Sequence, residues 1–317
     1  MDCSIIIRAH NEERHIGRLL DGIKRQKLSN GIDIETIVVD SGSTDSTVAI
    51  ASMMGAQIIH IAKQDFTFGR ALNVGCQGAK GAILLFASAH VYPFYKDWID
   101  KMLRPFSDSK VALVYGRQIG NDITHFSEHE IFAKWFPAAS NYNQMTPFCN
   151  NANCAIRRSL WKEQYFDEKL SGLEDLDWAN RILKKGSKIA YEAEAVIVHV
   201  HEETPEKIKN RYEREAIALK AIFPSVRFSK WDFIKLYLSN TASDLFHALQ
   251  QGVFLKEFKA TLVFRFMQFR GTYLGHRYKG GLTSDLKERF YYPNDLINTK
   301  RKRLSNLSAG ENVIEYK

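Results

Sequence analysis

The sequence predicts an α/β fold: a Rossmann-like sheet followed by a helical, basic extension. Three observations predict it. Short β-branched runs alternate with helical apolar spacing over residues 4–86. The runs close on polar clusters at their carboxyl ends. From residue 205 onward only helical spacing remains, and the charge balance turns basic. At 317 residues, 45% hydrophobic and 25% charged, the chain has the composition of a folded protein with a sizeable core.

Residues 4–9 are a short apolar run of the kind buried in parallel sheets. Asn11-Glu12-Glu13 follows, and then Ile16, Leu19, Leu20 and Ile23 fall at helical spacing. Residues 34–39 make a second strand, which ends in the turn Asp40-Ser41-Gly42-Ser43-Thr44-Asp45 before a helix containing Val48, Ile50 and Ala51. A third strand covers residues 57–61, a helix about 69–79, and a fourth strand 82–86. Strands alternating with helices give a parallel sheet with right-handed crossovers. Ligands of such sheets sit beyond the carboxyl ends of the strands. There the sequence places Arg8-Ala9-His10-Asn11, Asp40-Ser41-Gly42 and Ser88-Ala89-His90. Further strands are predicted at 111–118, 189–191 and 195–199, and a helix runs from Gly172 to Lys185 with Gly186 as its stop. Helices follow over 206–222, 231–250 and 254–281, the last with aromatic residues among six Lys/Arg and a single Glu.

Residues 1–220 hold 28 basic and 28 acidic residues, whereas 221–317 hold 16 and 8, so the net charge of +8 lies wholly in the extension. Such a tail suits a polyanionic neighbour. The four cysteines form no CxxC pair, which points to a reducing compartment rather than a disulfide framework. No signal-peptide pattern opens the chain, and no apolar stretch reads as a spanning helix. A cytoplasmic protein, peripheral on the inner face of the cell membrane, is the expectation. The chain has no GxGxxG after the first strand and no P-loop. RNP-like, zinc-finger and helix-turn-helix signatures are also missing, so nucleic acid is not an expected partner.

Six motifs occur in order over roughly residues 4–200: Ile5-Ile6-Ile7-Arg8 with Asn11-Glu12-Glu13; Val38-Val39-Asp40-Ser41-Gly42-Ser43-Thr44-Asp45; Phe68-Gly69-Arg70-Ala71-Leu72-Asn73; Ser88-Ala89-His90; Tyr115-Gly116-Arg117-Gln118; and Glu174-Asp175-Leu176-Asp177-Trp178. Together they resemble the family-2 glycosyltransferases, and more narrowly a bacterial rhamnosyltransferase-like branch. The resemblance implies a GT-A fold with a mixed sheet, a catalytic domain over 1–220 and a helical extension over 221–317. It implies inverting transfer of a sugar from a nucleotide-sugar donor to a glycan or lipid-linked acceptor in cell-surface polysaccharide synthesis. The alternatives are a nucleotide-sugar-binding scaffold without turnover and a nucleotidyltransferase.

Residue roles follow from the same resemblance. The donor side comprises Arg8, Asn11, Glu12, Asp40, Gly42, Arg70, Ser88, His90 and Arg117. Asp40 would accept from the base or ribose, or would serve the turn that follows it. Arg8, Arg70 and Arg117 would place positive charge near a diphosphate, or would form surface ion pairs. Ser88-Ala89-His90 stands where most relatives carry Asp-x-Asp, whose last carboxylate binds a divalent metal. His90 would replace it as a metal ligand, better suited to Mn2+ than to Mg2+, or would meet the phosphate without metal. His199 and His201 lie on one strand face as further metal candidates. Asp175 is the implied base, with Glu174 beside it; carboxylates in a first helical turn also arise from the helix dipole alone. Asn151, Asn153, Asp177 and Trp178 complete the expected acceptor side. The basic aromatic stretch 254–281 would lie on an anionic membrane, or pack in a homo-oligomer or on the catalytic domain.

Overall fold

The computed structural model describes residues 1–29, 31–281, 283, 286, 290, 291 and 312–316. Its first part follows the predicted alternation: β1 (Cys3–Ala9), α1 (Ile16–Lys24), β2 (Ile34–Asp40), α2 (Thr47–Met53), β3 (Gln57–His60), α3 (Phe68–Gly78) and β4 (Ile83–Ser88). These four strands are parallel in the order β3-β2-β1-β4. Ala9 pairs with Asp40, Arg8 with Ser88 and Asp40 with His60, so the carboxyl ends finish level along one edge.

The chain continues as β5 (Val91–Pro93), α4 (Trp98–Leu103), β6 (Val111–Ile119), α5 (Phe126–Trp135), β7 (Asn141–Gln144), β8 (Asn153–Arg157), α6 (Arg158–Glu163), α7 (Glu174–Lys184) and β9 (Lys188–His199). Three long helices follow: α8 (Pro205–Ile222), α9 (Lys230–Gln250) and α10 (Phe254–Arg277). The sheet is mixed. Its order is β3-β2-β1-β4-β8-β6-β9-β5, with β7 also on β9. β8 lies antiparallel between β4 and β6, β6 and β9 are parallel, and β5 and β7 run antiparallel to β9.

Strand alternation divides the core between the two sheet faces. Ile6, Val39 and Phe86 join a cluster with Leu72, Trp161 and Trp178. Ile5, Ile7, Val38 and Leu85 join another with Leu19, Trp98 and Met102. All four cysteines are free and buried.

Two differences from the sequence reading have physical causes. β8 is not among the predicted strands, because between Asn153 and Arg157 only Cys154, Ala155 and Ile156 carry an apolar signal. The strands expected at 189–191 and 195–199 are one strand, β9. Glu192 interrupts its apolar run, yet that side chain is fully buried and held by Arg104 at 2.8 Å and the Tyr142 hydroxyl at 2.7 Å.

Candidate active site

The loops after β1 and β2 are stitched together. Asn11 adopts a left-handed φ of 54°, and its side-chain Oδ1 accepts from Thr44 N–H at 2.8 Å. Its own N–H donates to Ser43 Oγ at 2.9 Å. Glu12 N–H donates to Thr47 Oγ1 at 2.7 Å. Asp45 accepts from the N–H groups of Thr47 and Glu13. Asp40 is buried, and its carboxylate accepts from Gly42 N–H at 3.0 Å and Ser43 N–H at 3.2 Å. Gly42 has φ +86°, the left-handed conformation this turn needs. The turn-forming reading of Asp40 is therefore realised, with the exposed His60 ring 3.4 Å from the same carboxylate.

Beyond this edge three imidazoles meet. His90 and His199 stack with ring centroids 5.1 Å apart, His199 and His201 are 4.0 Å apart, and His90 and His201 5.7 Å. One ring nitrogen from each lies within 4.8 Å of the others. Each Nδ1 is already held: His90 by Glu12 at 2.8 Å, His199 by Gln118 Oε1 at 2.7 Å, and His201 by Glu128 at 2.7 Å. The Gln118 oxygen can only accept, so the His199 proton sits on Nδ1 and Nε2 keeps its lone pair. That Nε2 is buried with no hydrogen-bond partner. Burial, then the charges of His201, His90 and Arg211, hold His199 well below the ordinary histidine range, which keeps it neutral. Burial alone would depress His90 too, but the Glu12 carboxylate, by charge and hydrogen bond, raises it overall. Glu128 is buried; against that burial, His201 and Arg211 hold its carboxyl well below the carboxylate range. Three imidazoles held through Nδ1 by two carboxylates and one amide, with one nitrogen of each within 4.8 Å of the others, form the kind of donor set a borderline divalent metal uses.

The second cluster opens α7. Leu173 precedes it with φ 56°, a conformation unusual for a bulky residue, and turns Glu174 and Asp175 inward. Arg8 donates to Glu174 at 3.0 Å, and Asn151 Nδ2 donates to the same oxygen at 3.4 Å. Asp175 accepts from Asn151 N–H at 2.9 Å and Leu176 N–H at 2.8 Å. Burial first, and the Glu174 charge second, raise the Asp175 pKa to about 7. The Arg8 charge acts on both Asp175 and His90, so it is near both the carboxylate pair and the imidazoles. Its guanidinium rests over the Phe68 ring at 4.7 Å.

Several expected site residues are placed differently. Asn153 is fully buried: it accepts from Trp98 Nε1 at 2.9 Å and donates to the Ala195 and Arg117 carbonyls, so it braces the sheet rather than an acceptor. Trp178 is also fully buried, its Nε1 donating to the Gln164 carbonyl at 2.6 Å, and is a core residue. Asp177 pairs with Arg181 one turn along α7 at 2.8 Å. Asn151 is turned inward to hold Glu174 and Asp175. Arg70 is half exposed and pairs with Glu168 at 3.4 Å, the surface ion pair of its alternative reading. Arg117 has a buried Nε without a hydrogen-bond partner, and its charge acts on the Tyr191 phenol. Ser88 closes β4 beside Arg8. The sequence reading missed the supports of the histidines: Gln118, Glu128, and Arg211, which pairs with Glu128 at 2.9 Å. Gln118 stood inside a recognised motif, but nothing local to Glu128 or Arg211 announced them.

Residues 4–164 match the family model described as Glycosyl transferase family 2. The chain is 30% identical over 224 residues to the O-antigen chain rhamnosyltransferase RfbN of Salmonella typhimurium, covering 67% of this chain and 70% of that protein. It is 32% identical over 189 residues to the O-antigen chain rhamnosyltransferase WbaN of Salmonella anatum, covering 56% and 60%. Among solved structures it resembles the mannosyltransferase PcManGT of Pyrobaculum calidifontis in complex with GDP-Man and Mn2+, with a TM-score of 0.57, 18% identity and 85% of each chain covered. It also resembles Staphylococcus aureus TarS 1–349 in complex with UDP, with a TM-score of 0.53, 16% identity, and 90% and 95% covered. At such identities these two structures speak to the fold, which is GT-A.

Proposed function

The chain belongs to glycosyl transferase family 2, and from that premise we propose that it moves a sugar, with inversion, from a nucleotide-sugar to a glycan or lipid-linked acceptor of cell-surface polysaccharide synthesis. The two Salmonella relatives are named as O-antigen chain rhamnosyltransferases, which makes a rhamnosyl donor the first to try. The observation that carries the reading is the buried Asp175, raised to about 7 and oriented by two backbone N–H groups. A base titrating there is ionised often enough to act and basic enough to take a hydroxyl proton.

In this mechanism the acceptor oxygen attacks the anomeric carbon while its proton passes to Asp175. The bond from that carbon to the phosphate oxygen breaks, and its electron pair leaves with the nucleotide. Attack from the face opposite the leaving group inverts the centre. Glu174 keeps the Asp175 carboxyl basic, and Arg8, paired with Glu174, supplies positive charge beside the base. Asp40 and the stitched loops form the rim where the nucleoside would rest. His90, His199 and His201 face the departing phosphate. One nitrogen of each converges within 4.8 Å, and the buried Nε2 of His199 has no hydrogen-bond partner, a set that fits a divalent cation, with Mn2+ a better match to imidazole than Mg2+. When bound, such an ion supplies positive charge to the leaving oxygens.

No helix among the described residues is long and apolar enough to cross a membrane. The proposed place of action is the inner face of the cell membrane, from the cytoplasm. The test is a donor panel: UDP-, GDP-, dTDP- and CMP-sugars, with Mn2+ or with EDTA, followed by donor hydrolysis and by transfer to added acceptor. One donor should turn over. Metal content should approach one ion per chain by mass spectrometry and should fall roughly tenfold or more in His199→Ala. No turnover of any donor, with or without acceptor, would overturn the reading.

A further inference from the structure

Helix α9 carries an apolar stripe that faces away from the protein. Trp231 is 70% exposed, Leu238 59% and Leu249 61%, and their spacing puts all three within about 20° of one line on the helix surface. Ile234 and Phe246 flank that line at 42% and 57%. The other side of α9 is in use. Thr241, Asp244 and Ala248 are buried, and Phe233 and Tyr237 meet Phe266 of α10. Beside the stripe, α10 exposes Leu255 and Phe258 among the exposed cations Lys256, Lys259 and Arg270.

The electrostatics of this surface have one sign. Three acidic residues fall between 227 and 279. Asp244 is gripped by Arg265, Glu257 is paired with Lys256, and Asp232 closes the capping box with Ser229. Between 227 and 279 these three carboxylates stand against nine lysines and arginines, so the surface carries an excess of positive charge. A large apolar stripe at solvent with a cationic surround is the pattern of a helix lying in a membrane interface. Trp231 supplies an aromatic anchor near the start of the stripe. A symmetric contact between two copies would press this cationic surface against itself.

We infer that α9 docks on an anionic phospholipid surface through Trp231, Ile234, Leu238, Phe246 and Leu249, with the cations of α9 and α10 meeting the headgroups. The sequence had placed its amphipathic feature in 254–281. In that stretch Phe264, Arg265 and Phe269 turn inward while Leu255 and Phe258 are exposed, and α9 adds the stripe of Trp231, Leu238 and Leu249. The docked helices are tied to the candidate site. Arg265 donates to the Ser127 carbonyl at 3.4 Å and His247 meets Glu130 at 2.5 Å, on either side of the Glu128 that holds His201. A lipid-linked acceptor would then be met at the surface on which the enzyme rests.

This inference goes beyond the sugar-transfer reading and is tested apart from it. The full chain is sedimented with phosphatidylglycerol–phosphatidylcholine vesicles and with phosphatidylcholine vesicles alone. The expected result is binding to the anionic vesicles only, weakened by salt. It should fall roughly tenfold or more in Trp231→Ser/Leu238→Ser/Leu249→Ser, whose thermal unfolding should match the parent because the three side chains are at solvent. Absence of anionic-vesicle binding, or binding equal in parent and variant, would overturn it. So would a dimer in size-exclusion chromatography that the variant dissociates while neither binds vesicles. Donor hydrolysis without lipid is measured in parallel. Intact hydrolysis with lost vesicle binding touches the surface alone, and the converse touches only the sugar-transfer reading.

Discussion

Asp175 is the residue whose environment most departs from that of a free side chain, and its titration has two separable consequences. Burial and the Glu174 charge favour its neutral form, so its pKa in the fold is about 7. A carboxyl whose folded value lies above its unfolded value holds its proton longer in the native state. That advantage is full below the unfolded value and is lost as pH rises from roughly 4 to about 7. As a base, however, it needs the ionised form. Transfer should therefore rise with pH, level off above about 7, and fall by roughly two to four orders of magnitude in Asp175→Asn with donor binding retained. The stability of Asp175→Asn relative to the parent should also improve between acid and mildly alkaline pH, by about 2–4 kcal/mol. Urea unfolding at pH 5 and pH 8 reads this directly. A difference that stays constant with pH would mean the carboxyl ionises normally. The identity of this residue was legible in sequence because Glu174, Asp175 and the helix start are local. Its supports were not, because Asn151 comes from 23 residues upstream of Glu174 and Arg8 from 166. Only packing reveals such partners.

At the scale of elements, the crossing of α8 and α10 decides how the helical part grips the site. Gly271 abuts the Lys209 carbonyl and Gly275 the Glu213 carbonyl, so neither position has room for a Cβ. The two backbones can approach because these glycines lie one turn apart on the same face of α10. Helix α8 also carries Arg211, which pairs with Glu128 and Glu203 beneath His201. Gly275→Leu should therefore destabilise the protein by about 1–3 kcal/mol and lower metal content as well as stability. Thermal unfolding and metal analysis on the same sample check both, and a stable variant with full metal content would show that the crossing does not govern the site. The elements themselves were readable to different degrees. β1 through β4 announce themselves by β-branched runs and level polar ends. β7 and β8 do not: Asn141–Gln144 and Asn153–Arg157 carry polar residues that are paired only once the strands are in the sheet. Asn153 looked like a sugar contact because an isolated asparagine gives no sign that Trp98, Ala195 and Arg117 will consume its hydrogen bonds.

At the scale of the whole molecule, the question is whether the helical part folds with the sheet or apart from it. The charge shift at residue 220 marks a change of composition, yet α8, which ends beside it, packs along α10. A second tie is ionic. Arg265 of α10 is buried and forks onto Asp244 of α9 at 2.7 and 2.8 Å, with one nitrogen also reaching the Ser127 carbonyl on α5. A charge pair this deep is worth little against an apolar replacement but is costly to break on one side, because the remaining charge stays buried. Asp244→Ala leaves Arg265 without its carboxylate and should destabilise by about 3–5 kcal/mol. The double variant Asp244→Ala/Arg265→Met should regain most of that loss, since it removes the stranded charge and keeps much of the side-chain volume. The shape of the transition carries the structural answer. If α8–α10 and the sheet are one cooperative unit, Asp244→Ala shifts a single unfolding transition that near-ultraviolet and far-ultraviolet circular dichroism follow together. An early transition confined to helical signal, with metal content and donor hydrolysis unchanged, would instead make the helical part a separate unit resting on the enzyme. The Arg265–Ser127 contact, one residue from Glu128, predicts the first outcome: loosening α9 and α10 should loosen the hold on His201 in the same step.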